Sequence, residues 1–144
     1  MSQKTLSKSE IKELNTKQSY IEFSKKDKVV KKEMYYFWND ICALFEYQGK
    51  IVPTLKILLE KPDILPQITV DMGAVRYIVN GADIMRPGIT NIPETIKKED
   101  IVVVIDQNNK KPLVVGVALF DATEMKEGKV IKNIHRIGDD IWNL

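Results

Sequence analysis

Cysteine and histidine are nearly missing from this chain: 144 residues hold one of each, Cys42 and His135. A single cysteine excludes an internal disulfide and any cysteine-based metal cluster. With one histidine beside it, neither a His-assisted catalytic triad nor a familiar zinc site can be assembled. The phosphate loop of nucleotide hydrolases, the G-x-G-x-x-G dinucleotide fingerprint and the H-E-x-x-H zinc helix are also absent. The expectation is a protein that is not an enzyme, with no catalytic residues, no metal and no cofactor. Apolar runs are short as well, none near the ~18 residues that a membrane span needs. The opening MSQKTLSKSE lacks the apolar core of a secretory signal, which points to a cytoplasmic protein with no membrane partner.

What is present is enough apolar material for a core, 44% of residues, beside 29% charged ones. The length suits one compact unit or two small ones packed together. Net charge is only +2 and is unevenly spread. Residues 1–65 carry twelve lysines against nine acids, net +3, and residues 66–144 carry ten basic against eleven acidic side chains, net −1. Any nucleic-acid contact in the second half therefore needs a local cluster rather than an overall basic field.

Read in order, Ser7-x-x-Glu10 is a capping box that opens a helix to about residue 16, with Ile11 and Leu14 on its apolar edge. Lys25, Lys26, Lys28, Lys31 and Lys32 surround Val29-Val30 and lead into an aromatic strand over 34–38. Asn39-Asp40 and Gln48-Gly49 are turn pairs on either side of a strand over 41–47, before Lys50 and Ile51 begin another. One helix and a small antiparallel meander follow from this pattern. Cys42 lies in the apolar run 41–45 and is expected as an inert core thiol.

Pro53-Thr54 starts a helix with Leu55, Leu58 and Leu59 on one face, and Pro62 ends it. Residues 63–66 form a short, stiff connector, which argues for two units in a fixed arrangement. Further on, 93–97 has the composition of one helical turn, and IVVVID at 101–106 reads as a buried strand. Its partner spans 113–120, with Gly116 a bulge or a point of close backbone approach, and a last strand covers 129–137. His135 is expected in a structural hydrogen-bonding role, and Asp139-Asp140 at the end of a strand, capping the turn at Ile141-Trp142.

The densest signals lie in 70–90, VDMGAVRYIVNGADIMRPGIT. Asp71 caps a short helix over 72–79, and Asn80-Gly81 supplies a left-handed exit. Ala74, Val75, Ile78 and Val79 share one apolar face at helical spacing. Arg86-Pro87-Gly88 has the composition of a type II turn, with Gly88 expected at positive φ.

On these residues the chain resembles a known family. Val70-Asp71-x-Gly73-Ala74, then Gly81-Ala82-Asp83-Ile84-Met85, then Pro87-Gly88-Ile89 resemble the opening of a PUA domain, a small RNA-binding pseudo-barrel. Asn133-Ile134-His135 and Gly138-Asp139-Asp140-Ile141-Trp142 resemble its last strand and terminal turn. Upstream, Pro53-Thr54-Leu55-Lys56-Ile57-Leu58-Leu59 and Ile64-Leu65-Pro66 resemble the segment before the PUA domain in the malignant T-cell-amplified protein family and its archaeal relatives, which are related to ligatin-type translation factors. The resemblance covers residues 50–144; residues 1–49 match in length and layout.

The resemblance implies an α+β fold, a small N-terminal α/β domain with an antiparallel meander over 1–66 packed on a C-terminal PUA pseudo-β-barrel over 67–144. It also implies a non-catalytic RNA-binding protein of translation, contacting the small ribosomal subunit or a tRNA acceptor end, with an initiation-factor-like protein recruited alongside. The family's RNA groove maps onto Arg76, Gly81, Ala82, Asp83, Ile84, Met85, Arg86 and Gly88. Glycines admit phosphates close to backbone N–H groups, arginines fork onto phosphate or base edges, and Ile84 or Met85 could carry an unstacked base. Two other functions remain open: an accessory subunit delivering RNA to a pseudouridine synthase or transglycosylase, and a protein-interaction module that keeps the fold without RNA. Tyr35 to Trp38 beside the lysine run is either ordinary sheet packing or a second contact surface. Trp142 is expected to pack in the core.

Overall fold

The computed structural model of the protein describes residues 2–144. Its first half is a five-stranded antiparallel sheet in which every strand lies beside its sequence neighbour: β1 (Gln3–Thr5), β2 (Val29–Lys32), β3 (Tyr35–Trp38), β4 (Ile41–Tyr47) and β5 (Lys50–Pro53). Two of its hairpins close on two-residue turns at positive φ, 49° and 71° at Asn39-Asp40 and 46° and 79° at Gln48-Gly49. That conformation matches the twist of the flanking strands, and Asn, Asp and Gly reach it at least cost.

Helix α1 (Lys8–Lys17) covers one face of the sheet. The Glu10 amide donates to Ser7 Oγ at 3.2 Å, and Glu10 Oε1 accepts from the Ser7 amide at 2.9 Å, closing the expected capping box. The Lys4 ammonium adds an ion pair, which leads the influences that lower the Glu10 carboxyl to about 2. Ile11 and Leu14 are buried against Phe23, Val29, Tyr36 and Leu44. The aromatic run is largely sheet packing: Tyr36 is buried, and Trp38 stands edge-on to Phe23 with centroids 5.4 Å apart. Cys42 is 1% exposed, and burial pushes its thiol up to about 11, so it is the inert core thiol expected.

The chain then crosses through the single turn α2 (Leu55–Leu58) into a six-stranded sheet. This sheet is built from β6 (Gln67–Val70), β7 (Ile84–Met85), β8 (Ile89–Asn91), β9 (Ile101–Asp106), β10 (Pro112–Ala118) and β11 (Lys129–Arg136), with helix α3 (Met72–Ile78) between β6 and β7. The spatial order is β7-β11-β10-β9-β6-β8, antiparallel except for the parallel pair β6 and β9. Gly116 is both of the things expected of it. The register with β11 shifts between Val115 and Gly116, and a Cβ there would lie 2.4 Å from Ile131 Cγ2 and 2.9 Å from the Lys132 carbonyl oxygen.

The unbroken apolar run of β9 has a direct cause. Val102 and Val104 point into the core of the second sheet with Ile68, Val70, Ile84, Val114 and Ile131. Ile101, Val103 and Ile105 point the other way, onto Phe45, Val52, Leu55, Leu58 and Leu65 from the first half. Both faces of the strand are therefore covered, which removes the polar alternation a one-sided strand would show. The second cluster joins the two halves and makes their arrangement fixed.

His135 sits in this seam, 1% exposed. Its Nε2 accepts the Leu55 amide N–H at 3.1 Å, so that nitrogen carries no proton. The proton is on Nδ1, which donates to Asp139 at 2.9 Å. Asp139 also accepts from the Arg136 and Trp142 amides, both at 2.9 Å, ending the strand and capping the last turn as expected. Trp142 packs at the edge of the seam cluster, under the Lys56 ammonium at 5.5 Å.

Several short elements differ from expectation. Residues 93–97 form a turn, not a helical one, pinned by the buried side chain of Ile96. Strands β1, β2, β6, β7 and β8 are all short, two to four residues each, too few for a period to register in the sequence. No helix among the described residues is long and apolar enough to cross a membrane.

Candidate nucleic-acid interface

Residues 70–90 form a platform at the edge of the second sheet. Asp71 accepts the Ala74 amide at 2.9 Å and fixes the start of α3. Ile78 is buried, and Ala74, Val75 and Val79 pack against the same core. The helix thus turns Met72, Arg76, Tyr77 and Asn80 to solvent. Tyr77 is 56% exposed, with the Arg76 guanidinium 4.9 Å above its ring and donating to its hydroxyl at 2.8 Å. Arg76 is where the sequence placed it. Tyr77 was missed, although its place opposite the apolar face marks it as an exposed aromatic.

Gly81 leaves the helix at φ +103°, and Asn133 ties down the loop that follows. The Asn133 side-chain amide donates to the Ile78 and Ala82 carbonyls, each at 2.9 Å. Its backbone N–H donates to Asp83 at 2.8 Å, and the other Asp83 oxygen meets the Lys129 ammonium at 3.1 Å. Burial alone would raise the Asp83 carboxyl; these two donors outweigh it and lower the group. Asp83 is thus an ionised, already neutralised anchor of the loop. A second unforeseen residue is Arg136, whose Nε donates to the Val79 carbonyl at 3.0 Å, a cation at the helix C-terminus. A Cβ at Gly81 would lie 3.6 Å from that guanidinium, so the open face of the glycine adjoins a positive charge.

Three expectations change here. Ile84 is 1% exposed and belongs to the core, because β7 is only two residues long and its inward position fills the barrel; Met85, 50% exposed, is the one turned outward. Arg86 is half-buried, and its guanidinium donates to the Met125 carbonyl at 2.9 Å and the Ile89 carbonyl at 3.2 Å, so it holds the loop together. Arg86–Gly88 is a 3-10 turn and Gly88 is not at positive φ. Gly88 is needed for space instead: its Cβ would stand 3.0 Å from Ala74 Cβ, where the turn packs on α3. The platform therefore brings Arg76, Tyr77, Gly81, Ala82 and Met85 to one exposed edge, while Asp83, Ile84, Arg86 and Gly88 build it.

Comparison with known proteins agrees with this architecture. The PUA domain family matches residues 66–137, and a domain of unknown function (DUF1947) matches residues 2–61. An uncharacterized protein of Methanocaldococcus jannaschii is 50% identical over 103 residues, 69% of this chain and 64% of that protein. Translation machinery-associated protein 20 of Saccharomyces cerevisiae is 32% identical over 144 residues, covering 93% of this chain and 77% of the yeast protein. Malignant T-cell-amplified sequence 2 of mouse is 36% identical over 112 residues, 74% of this chain and 62% of that protein. Against several of these relatives the chain spans less than two thirds of their length. A crystal structure of a hypothetical protein from Pyrococcus horikoshii superposes with a TM-score of 0.82 at 32% identity, covering 99% of this chain and 98% of that one. The fold is thus α+β, with a small sheet domain preceding a PUA pseudo-barrel, and the chain belongs to the PUA-domain family that includes the translation machinery-associated and malignant T-cell-amplified proteins.

Proposed function

We propose that this protein binds structured RNA in translation, in the cytoplasm, through the exposed face of α3 and the loop that follows it. The observation that carries the reading is the Arg76–Tyr77 pair, a guanidinium lying on an exposed aromatic ring beside a glycine at positive φ. Such a pair offers a base a stacking face and its phosphate a fixed cation. Gly81 and Ala82 bring backbone to the surface, Arg136 adds charge next to Gly81, and Met85 supplies an apolar support. Asp83, Arg86 and Gly88 act by positioning. The target is a tRNA acceptor end or the small ribosomal subunit, and an initiation-factor-like protein acts alongside. The two units divide near Pro66 and act as one rigid body, so that RNA held on the barrel is presented at a set distance from the first domain.

The names of the relatives support a place in translation, and the platform geometry supports RNA as the ligand. The net −1 of residues 66–144 favours a second reading, a protein-interaction module. Equilibrium binding of the full chain to mature tRNA, tRNA trimmed of its single-stranded 3′ end, and small ribosomal subunits across a salt series separates the two. Arg76→Ala/Tyr77→Ala is expected to weaken the preferred target by about tenfold or more, from the loss of one stacked base. Salt-insensitive capture of a protein, with no RNA retained, would replace the RNA reading with the second one.

A further inference from the structure

At the rim of the seam between the two domains lies a cavity of about 350 Å³. Gln48 and Lys50 of the β4 to β5 hairpin wall it on one side, and Lys98, Glu99, Leu119 and Lys132 of the barrel on the other. The walls are held in place. Lys50 Nζ reaches across the seam to the Glu99 carbonyl at 2.5 Å, and the Glu99 amide donates to the Ala118 carbonyl at 2.7 Å. The Lys98 amide is fixed by Asp121 at 2.8 Å.

The charge of this cavity runs against that of its surroundings. Three lysines face one carboxylate, 3 − 1 = +2, although residues 66–144 sum to −1. Other surface lysines are neutralised, Lys17 by Glu13, Lys28 by Asp40 and Lys31 by Glu46, whereas Lys50, Lys98 and Lys132 have no carboxylate partner among the described residues. A concave wall of one sign focuses its field on whatever enters. Ammonium groups spread along a trough suit successive phosphates better than a single planar acid, which a guanidinium fork would grip. Leu119 gives the trough an apolar patch on which a sugar or base can lie.

The trough also borders the platform. Lys132 precedes Asn133, the residue that holds Ala82 and Asp83 in place. We infer that the seam is a second RNA contact, in which Lys50, Lys98 and Lys132 take the phosphodiester backbone of a strand that runs on from the α3 platform. This rests on the platform reading for the direction of the strand. It extends that reading by giving both domains a share of one RNA.

The test uses a hairpin RNA carrying either a short or a long single-stranded 3′ tail, bound to the full chain over a salt series. Wild type should prefer the long tail. Lys98→Gln/Lys132→Gln, which leaves the Lys50 bond across the seam intact, should remove the preference, and adding Lys50→Gln should flatten the salt slope by about 2. All three side chains are exposed, so thermal unfolding should not move. Glu99→Gln, which strips the one carboxylate from the wall, should strengthen long-tail binding. An unchanged preference in the lysine variants, with both RNAs weakened by Arg76→Ala/Tyr77→Ala, overturns the seam contact and keeps the platform. Loss of the preference in the lysine variants, with the platform variant inert, keeps the seam as an RNA site and overturns the platform. Equal affinity of wild type for both tails overturns the seam contact outright.

Discussion

The first domain pairs each strand with its sequence neighbour, while the second places β7 beside β11 and β6 beside β9 across long stretches of chain. In the first, register is set locally, by Asn39-Asp40 and Gln48-Gly49 at positive φ and by a capped helix laid over one face. In the second, register is set by close approach and cross-links, among them the bulge at Gly116 and the bonds from Asn133 to the platform loop. The two also differ in charge, net +3 over residues 1–65 and −1 over residues 66–144. Much of the positive surface of the first is neutralised in place, by ion pairs such as Lys28 with Asp40 and Lys31 with Glu46. Total charge is therefore a poor guide to where a polyanion would sit. Local geometry, an arginine on a tyrosine or three lysines around a trough, carries more information than either sum.

The sharpest way to break this comparison is to separate the halves. Leu55 is fully buried in the cluster they share, and its amide is the one His135 holds. Leu55→Ala should cost about 2–5 kcal/mol, from lost burial and the cavity left behind. If the seam makes the two domains one cooperative unit, wild type unfolds in a single denaturant transition and the variant in two, followed by tryptophan fluorescence from Trp38 and Trp142. A single transition in the variant would mean that cooperativity does not depend on this contact.

A smaller, one-sided effect is expected from Gly116→Ala. The new Cβ would meet the Ile131 side chain at 2.4 Å and the Lys132 backbone at 2.9 Å. A carbonyl cannot swing aside as a side chain can, so the β10 to β11 ladder must shift, at about 1–3 kcal/mol. Hydrogen exchange should quicken in β10 and β11 and stay unchanged in β2 and β3. Equal quickening in both domains would show the halves to be more tightly coupled than their separate wiring suggests.

How much of this was legible in the chain follows the same division. Hairpins that announce themselves by turn pairs, the capping box at Ser7, and the strands Ile41–Tyr47 and Ile101–Asp106 were readable because each signal is local. The strands of two to four residues were not. At the platform, Arg76 and Gly81 were legible from helix geometry and the left-handed exit. Ile84 was misplaced because a two-residue strand gives no alternation to say which side chain points inward. The fate of Arg86 was hidden because the carbonyl it holds, at Met125, lies 39 positions away. Gly88 was rightly marked as special but for the wrong cause, since a need for φ and a need for space look alike in a sequence.

The smallest expected effect sharpens the seam from the side of pH. Burial alone would raise the Asp139 carboxyl, but the His135 ring and the Trp142 and Arg136 amides donate to it and hold it below its ordinary value. A carboxyl lowered in the folded state stabilises the fold above its unfolded pKa, and that contribution is lost as pH falls through the folded one. Acid therefore removes the acceptor that keeps the proton on His135 Nδ1, and with it the tautomer whose Nε2 accepts from Leu55. Asp139→Asn keeps the shape but removes the charge, so its stability should change less than wild type's as pH is lowered below the ordinary carboxylate range. The Nδ1–H tautomer of His135, read from its ring nitrogen shifts, should persist in wild type across neutral pH and become mixed in the variant. If the tautomer is unchanged in Asp139→Asn, the Leu55 amide alone is sufficient to set it, and the seam owes its fixed geometry to the first domain as much as to the second.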